Sequence, residues 1–227
     1  MRRATPWSTV FDLLVSATGE TLYMVGVSTL VATVLGIPVG VLLQLTAPGG
    51  LRPRPWPHKL LGFVVDLGRA MPFLILLVVL TSITRTVIGV SIGPTAAIVP
   101  LSVGAVPFVA RLVQNVLSEV HVAAVEAAVT TGASTLRIVR SVLLGESLPA
   151  LINAIGVTAI ALLGYSAMAG VLGGGGLGDL AVRLGYQRFD DRVLWSTVAV
   201  LAVVATVIQF VFNRAARGVD RRRHASV

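Results

Sequence analysis

Long apolar runs alternate along the chain with short stretches rich in proline, glycine and arginine. A helix needs about 20 mostly apolar residues to cross a hydrocarbon core. Five runs meet that length, at 21–45, 61–82, 91–112, 150–172 and 193–213. The first and fourth carry no charge. The second holds Asp66 and Arg69, three apart, so the two can pair on one helix face and lower the cost of both charges. The third contains Pro94, Pro100 and Pro107. Interior prolines remove backbone hydrogen bonds, so this helix calls for packed neighbours. Ahead of the first run, Trp7, Phe11, Leu14 and Val15 fall at helical spacing, which predicts a short amphipathic helix lying at the interface over 1–20. Asp12 interrupts what would be the apolar core of a signal peptide there.

Between the third and fourth runs the pattern changes. Residues 118–148 carry Glu119, His121, Glu126, Arg137, Arg140 and Glu146, too many charges for lipid. The segment reads as two short helices. One ends near Gly132, a residue suited to the left-handed helix-terminating position, and one starts after Ser134, a good N-cap. Leu136, Val139 and Leu143 would give the second an apolar face.

Composition supports a membrane solvent. Apolar residues make up 55% of the chain and charged residues 12%, with a mean hydropathy of +0.89. A typical soluble domain is about 25% charged. The net charge of +8 alone would suit nucleic acid, but the cations sit in short connections between apolar runs, where they act as orientation signals. With the C-terminus inside, 12 of the 18 Lys and Arg residues fall on the cytoplasmic side and 6 outside. The positive-inside rule therefore predicts N-terminus out and C-terminus in, with 214–227 a basic cytoplasmic tail.

Candidate chemistry is sparse. No cysteine occurs, so thiolate catalysis and disulfides are excluded. The three histidines, His58, His121 and His224, fall in expected loops, and no metal site or catalytic triad assembles around them. Lys59 is the single lysine and follows His58, so the chain has no G-K-[ST] phosphate cradle. GGGGLG at 173–178 fits a dinucleotide fingerprint in letters only, because an apolar helix rather than a strand precedes it. GLGD, ending at Asp179, resembles the motif of intramembrane aspartyl proteases, but its one candidate partner, Asp66, has Arg69 within reach. These glycines are expected to end the fourth helix in a flexible outer connection.

The segment EAAVTTGASTLRIVRSVLLG, from Glu126 to Gly145, resembles the EAA loop of ABC importer permeases. Glu126, Ala127, Ala128 and Gly132 match the motif, Val142 and Leu144 stand at its Ile and Leu positions, and Gly145 replaces its proline. GRAMPFLILLVVL, IGPTAAIVPLSVGAVPFVARLVQN and GYSAMAGVLGGGGLGDLAVRLGYQRF are similar in content and order to methionine ABC importer permeases. The resemblance implies an all-α integral membrane protein with about five transmembrane helices in the ABC importer permease fold. It implies a single permease domain over 21–213 with a coupling loop at 118–148, in a bacterial cell membrane. It implies a homodimer surrounded by membrane lipid, two ABC ATPase subunits that bind the ATP, and an extracytoplasmic methionine-binding protein. The chain itself would hold no cofactor or metal, contact no nucleic acid and not be an enzyme. Tyr165, Ser166 and Met168 are the expected groups on the translocation path, since a thioether and an aromatic edge suit an apolar thioether substrate. Small residues at Ser166, Gly170 and Gly174, spaced by four, favour close packing. A permease for another small amino acid is the alternative. An ion-coupled secondary transporter is a further one, disfavoured by the odd helix count and the few charges in the apolar runs.

Overall fold

The apolar runs fold into helices, several of them longer than a bilayer requires. A computed structural model describes residues 5–224, and among these no β-strand occurs. The helices are α1 (Trp7–Thr46), α2 (Pro55–Ala70), α3 (Phe73–Ile88), α4 (Pro94–Ser118), α5 (Val122–Thr130), α6 (Thr135–Gly174), α7 (Gly176–Asp179, continued by a wider-turned segment Leu180–Tyr186) and α8 (Asp191–His224). α1, α4, α6 and α8 are each long and apolar enough to cross a membrane, and α2 with α3 qualifies as a fifth, broken span.

Three boundaries differ from expectation. The described part of the expected interfacial helix over 1–20 and the span at 21–45 are one unbroken helix of 40 residues, Trp7–Thr46, which continues past Pro38. The run at 61–82 is two helices instead of one. Pro72 precedes the first residue of α3 in an extended conformation, φ −60° and ψ 126°, and its missing N–H cannot continue the ladder of α2. The second short helix of 118–148 and the span at 150–172 are likewise one element, α6, and the basic tail continues α8 up to His224. Arg2, Arg3 and 225–227 lie outside the described residues.

Within the expected domain over 21–213, backbone contacts define two compact units, each using parts of the same long helices. One takes the described parts of Met1–Val31, Met71–Ala105 and Ala159–Gln209. Its core joins Val10 and Ala17 of α1 to Leu177, Leu180 and Val193. Here the glycine-rich segment is a packed turn instead of an open connection. α6 ends in a wide turn over Gly170–Gly174, and Gly175 (φ +78°) reverses the chain into α7. A Cβ on Gly178 would run into the backbone of Ala167, so only glycine admits this approach. Glu20 and Thr21 of α1 hold the turn from below: Gly176 N–H donates to Glu20 Oε2 at 2.6 Å and Leu177 N–H to Thr21 Oγ1 at 2.9 Å. Glu20 therefore meets the amide end of α7, where a carboxylate is stabilised.

The other unit takes Ala32–Ala70, Val106–Thr158 and the described part of Phe210–Val227. Gly36 and Gly40 of α1 lie one turn apart and let its backbone close on α4. A Cβ on Gly36 would sit 2.7 Å from Val109 Cβ, and one on Gly40 2.5 Å from the carbonyl oxygen of Ala110. Leu43, Val65 and Ala110 bury beside this contact. Asp66 keeps the expected ion pair with Arg69 at 3.7 Å and also accepts from Arg111 Nη2 of α4 at 2.5 Å. Arg111 also donates to Gln114 Oε1 at 2.7 Å. The charge is thus neutralised across helices, which adds packing that a pair within one helix cannot give. His58 lies in α2 rather than a loop, its ring 3.1 Å from the carbonyl oxygen of Leu43.

Candidate functional site

α5 is nine residues long, and none of them is buried. It stands between two connections that fix both its ends. His121, at φ −56° and ψ 124°, precedes the helix, and its carbonyl accepts from Ala124 N–H at 3.0 Å. At the other end Gly132 adopts φ +75°. Ala133 N–H reaches back to Ala128 O (3.1 Å) and Gly132 N–H to Val129 O (3.0 Å), the paired bonds of a Schellman stop. The Thr130 and Thr131 hydroxyls donate to the carbonyls of Ala127 and Ala128. Few carbonyls at this end are left for water, and the turn is sharp. Both sequence signals are realised here, since Ser134 caps α6 by accepting from Arg137 N–H at 3.4 Å.

The apolar face expected of the second helix shifts. Residues Ile138–Leu143 form a π-type turn, in which Leu144 N–H bonds Val139 O. The wider turn places Ile138 beside Val139 and Leu143 on the buried side, while Leu136 stays 58% exposed. Pro149 lies inside the same helix and cannot donate to the residue four before it, which is Gly145. A glycine there leaves the carbonyl free to tilt without a side chain in the way.

Of the motif residues, Glu126 and Ala127 are exposed and Ala128 is half-buried. Val122, Glu126 and Val129 follow at i, i+4 and i+7, so one carboxylate stands between two uncovered valines on a single stripe. Val122 is 69% exposed and Val129 51%. Glu126 makes no ion pair among the described residues. It borders an open-sided cleft of about 470 Å³ formed with the α1–α2 connection, lined by Leu45, Gly49, Leu51, Leu117 and Val125. This short helix thus leaves an apolar stripe, a carboxylate outside any ion pair among the described residues and small alanines uncovered at the surface. The two valines were missed from sequence, although their spacing around Glu126 was there to be read.

Tyr165 and Met168, three apart, share one side of α6, and Ser166 lies on another. The Tyr165 ring stacks on Phe73 of α3, centroids 4.7 Å apart. Ser166 is buried, and its hydroxyl donates to Leu163 O of its own helix at 2.8 Å. Met168, two residues on, is exposed and points away from Ser166 around the helix.

Comparison with known proteins follows the same lines. The family model for the binding-protein-dependent transport system inner membrane component matches residues 6–225. A probable D-methionine transport system permease protein MetI of Vibrio cholerae is 47% identical, over 93% of this chain and 94% of that protein. The D-methionine transport system permease protein MetI of Escherichia coli K12 is 48% identical over 70% of this chain and 73% of its own length. Among solved structures, an inward-facing conformation of the MetNI methionine ABC transporter superposes with a TM-score of 0.92 at 42% identity, covering 95% of this chain and 99% of that one. With all but a few residues matched, the chain belongs to the binding-protein-dependent transport system inner membrane components, the membrane-spanning permeases of ABC importers.

Proposed function

We propose that this permease carries methionine inward, as a homodimer that engages two ATPase subunits and receives substrate from an extracytoplasmic binding protein. The observation that carries the coupling role is the exposed α5, clamped by Gly132 at one end and presenting Glu126 between Val122 and Val129. A short helix transmits displacement when its link is tight, and here the Schellman stop on α5 and the Ser134 cap on α6 order both sides of the connection. Movement of a docked ATPase would then reach a spanning helix directly, without an intervening flexible link. The arginine distribution supports N-terminus out and C-terminus in, which puts α5 on the ATP-bearing side. The ATP is bound and hydrolysed by the partner. Methionine is favoured by the functions of the relatives. The three sequence blocks that resemble methionine permeases agree with it.

Proteoliposomes holding the permease, its ATPase and its binding protein test the reading. Labelled methionine should accumulate only with ATP, and both enantiomers should be offered. If unlabelled methionine fails to compete while another solute is pumped, the substrate assignment fails and the permease assignment stands.

A further inference from the structure

α2 leaves one side uncovered. Trp56, Leu60, Phe63, Val64 and Leu67 follow at helical spacing, and each is more than half exposed, Trp56 at 84%. The opposite side is used, with Val65 buried and Leu61 packed on the cluster around Leu43 and Ala110. At the start of the stripe stand three cations. Arg52, Arg54 and Lys59 are all exposed and form no ion pair among the described residues. The nearest carboxylate in sequence, Asp66, is already taken by Arg111 at 2.5 Å.

The backbone that carries the cations is held in place. Arg52 N–H donates to Leu45 O at 3.0 Å and Arg54 N–H to Thr46 O at 3.1 Å, folding the connection back on the end of α1. The His58 ring, 3.1 Å from Leu43 O and 3.4 Å from Thr46 Oγ1, ties the first turn of α2 to the same point. Pro55, Trp56, Lys59, Leu60 and Phe63 together line a shallow groove at the surface. An indole with an apolar body and an N–H tip, followed by aliphatic side chains and flanked by unpaired cations, matches the boundary between headgroups and acyl chains. A second copy of this chain is a poorer occupant, because a two-fold contact here would set like charges together. Charge complementarity selects an anionic surface.

From this we infer that Arg52, Arg54, Trp56 and Lys59 form a binding site for anionic phospholipid headgroups, with Leu60, Phe63, Val64 and Leu67 lying along the acyl chains. The site is independent of the transported solute. Each cation near an anionic leaflet is worth roughly a fivefold enrichment.

The test uses the full chain in lipid nanodiscs, with Trp7→Phe and Trp195→Phe leaving Trp56 as the single tryptophan. Brominated phosphatidylglycerol should quench Trp56 on the order of fivefold more effectively than brominated phosphatidylcholine at low salt. That excess should shrink in 1 M salt, where the screening length falls to about 3 Å. Arg52→Gln, Arg54→Gln and Lys59→Gln together should remove the excess and keep the quenching by phosphatidylcholine. Native mass spectrometry of the unsubstituted chain gives a variant-free measurement, with phosphatidylglycerol retained over phosphatidylcholine from an equal mixture. Equal quenching or equal retention of the two lipids overturns the site. Trp56 shielded from both lipids, with cross-links between copies through a cysteine at Leu60, overturns it in favour of a second copy.

Discussion

At Gly132 the chain sits at φ +75°, a region where an L side chain costs about 1–2 kcal/mol and a β-branched one more. Gly132→Val should therefore unseat the end of α5 without touching any core, since no atom lies within 4 Å of the Cβ it would add. Uptake should fall at least tenfold while membrane insertion and yield stay near normal. Asp190 offers a second single-residue test. The Thr5 hydroxyl and then the Thr5 N–H hold its carboxyl below the ordinary carboxylate range, at 2.5 and 3.0 Å. A depressed pKa in the folded state contributes stability that is complete above the unfolded value, about 3.9, and is lost as pH falls through the folded value. Wild type should thus melt above Asp190→Asn at neutral pH, and the gap should close on acidification below pH 4. A gap independent of pH would remove Thr5 as the cause. At this scale the sequence was most legible where a residue type dictates backbone geometry, as at Gly132 and Ser134. It was least legible where the partner lies on another helix: Asp66 pairs best with Arg111, 45 positions away, and no local spacing announces that.

Among the elements, α1 and α4 show how closely two helices approach when the contact is built from glycine. Gly40→Ala would put a methyl 2.5 Å from the backbone oxygen of Ala110, which cannot rotate away, so a loss of roughly 1–3 kcal/mol is expected. Gly26→Ala on the same helix meets nothing within 4 Å and should be neutral or stabilising by up to about 1 kcal/mol. Thermal unfolding in detergent compares the two directly, and equal midpoints would contradict the contact. The existence of the apolar helices was readable because their runs exceed any soluble core helix. Their ends were not. A hydropathy run marks the part of a helix that meets lipid, and α1, α6 and α8 continue through polar turns wherever no proline or left-handed glycine stops them. At Pro72 the reverse holds, and one apolar run becomes two helices.

For the molecule as a whole, much apolar surface is left for surroundings other than water. In α8 only 17% of the most apolar window is buried, against 50% in α4. Lipid or a second subunit must cover the rest, as expected of a membrane component. The short exposed helix and its stop were legible from the Glu126–Gly132 pattern. The different surroundings of Tyr165, Ser166 and Met168 were not, because the stacking of Tyr165 on Phe73 and the burial of Ser166 depend on other helices. The central claim is that α5 is the part of this chain that meets the ATPase. Because the chain has no cysteine, a single one at Ala127 is a clean probe. In the assembled transporter it should cross-link to the ATPase subunit, and the yield should drop when Glu126→Arg is added. An intact complex that cross-links from a cysteine at Arg188, on the side assigned as outer, and never from Ala127 would contradict both the coupling role and the orientation.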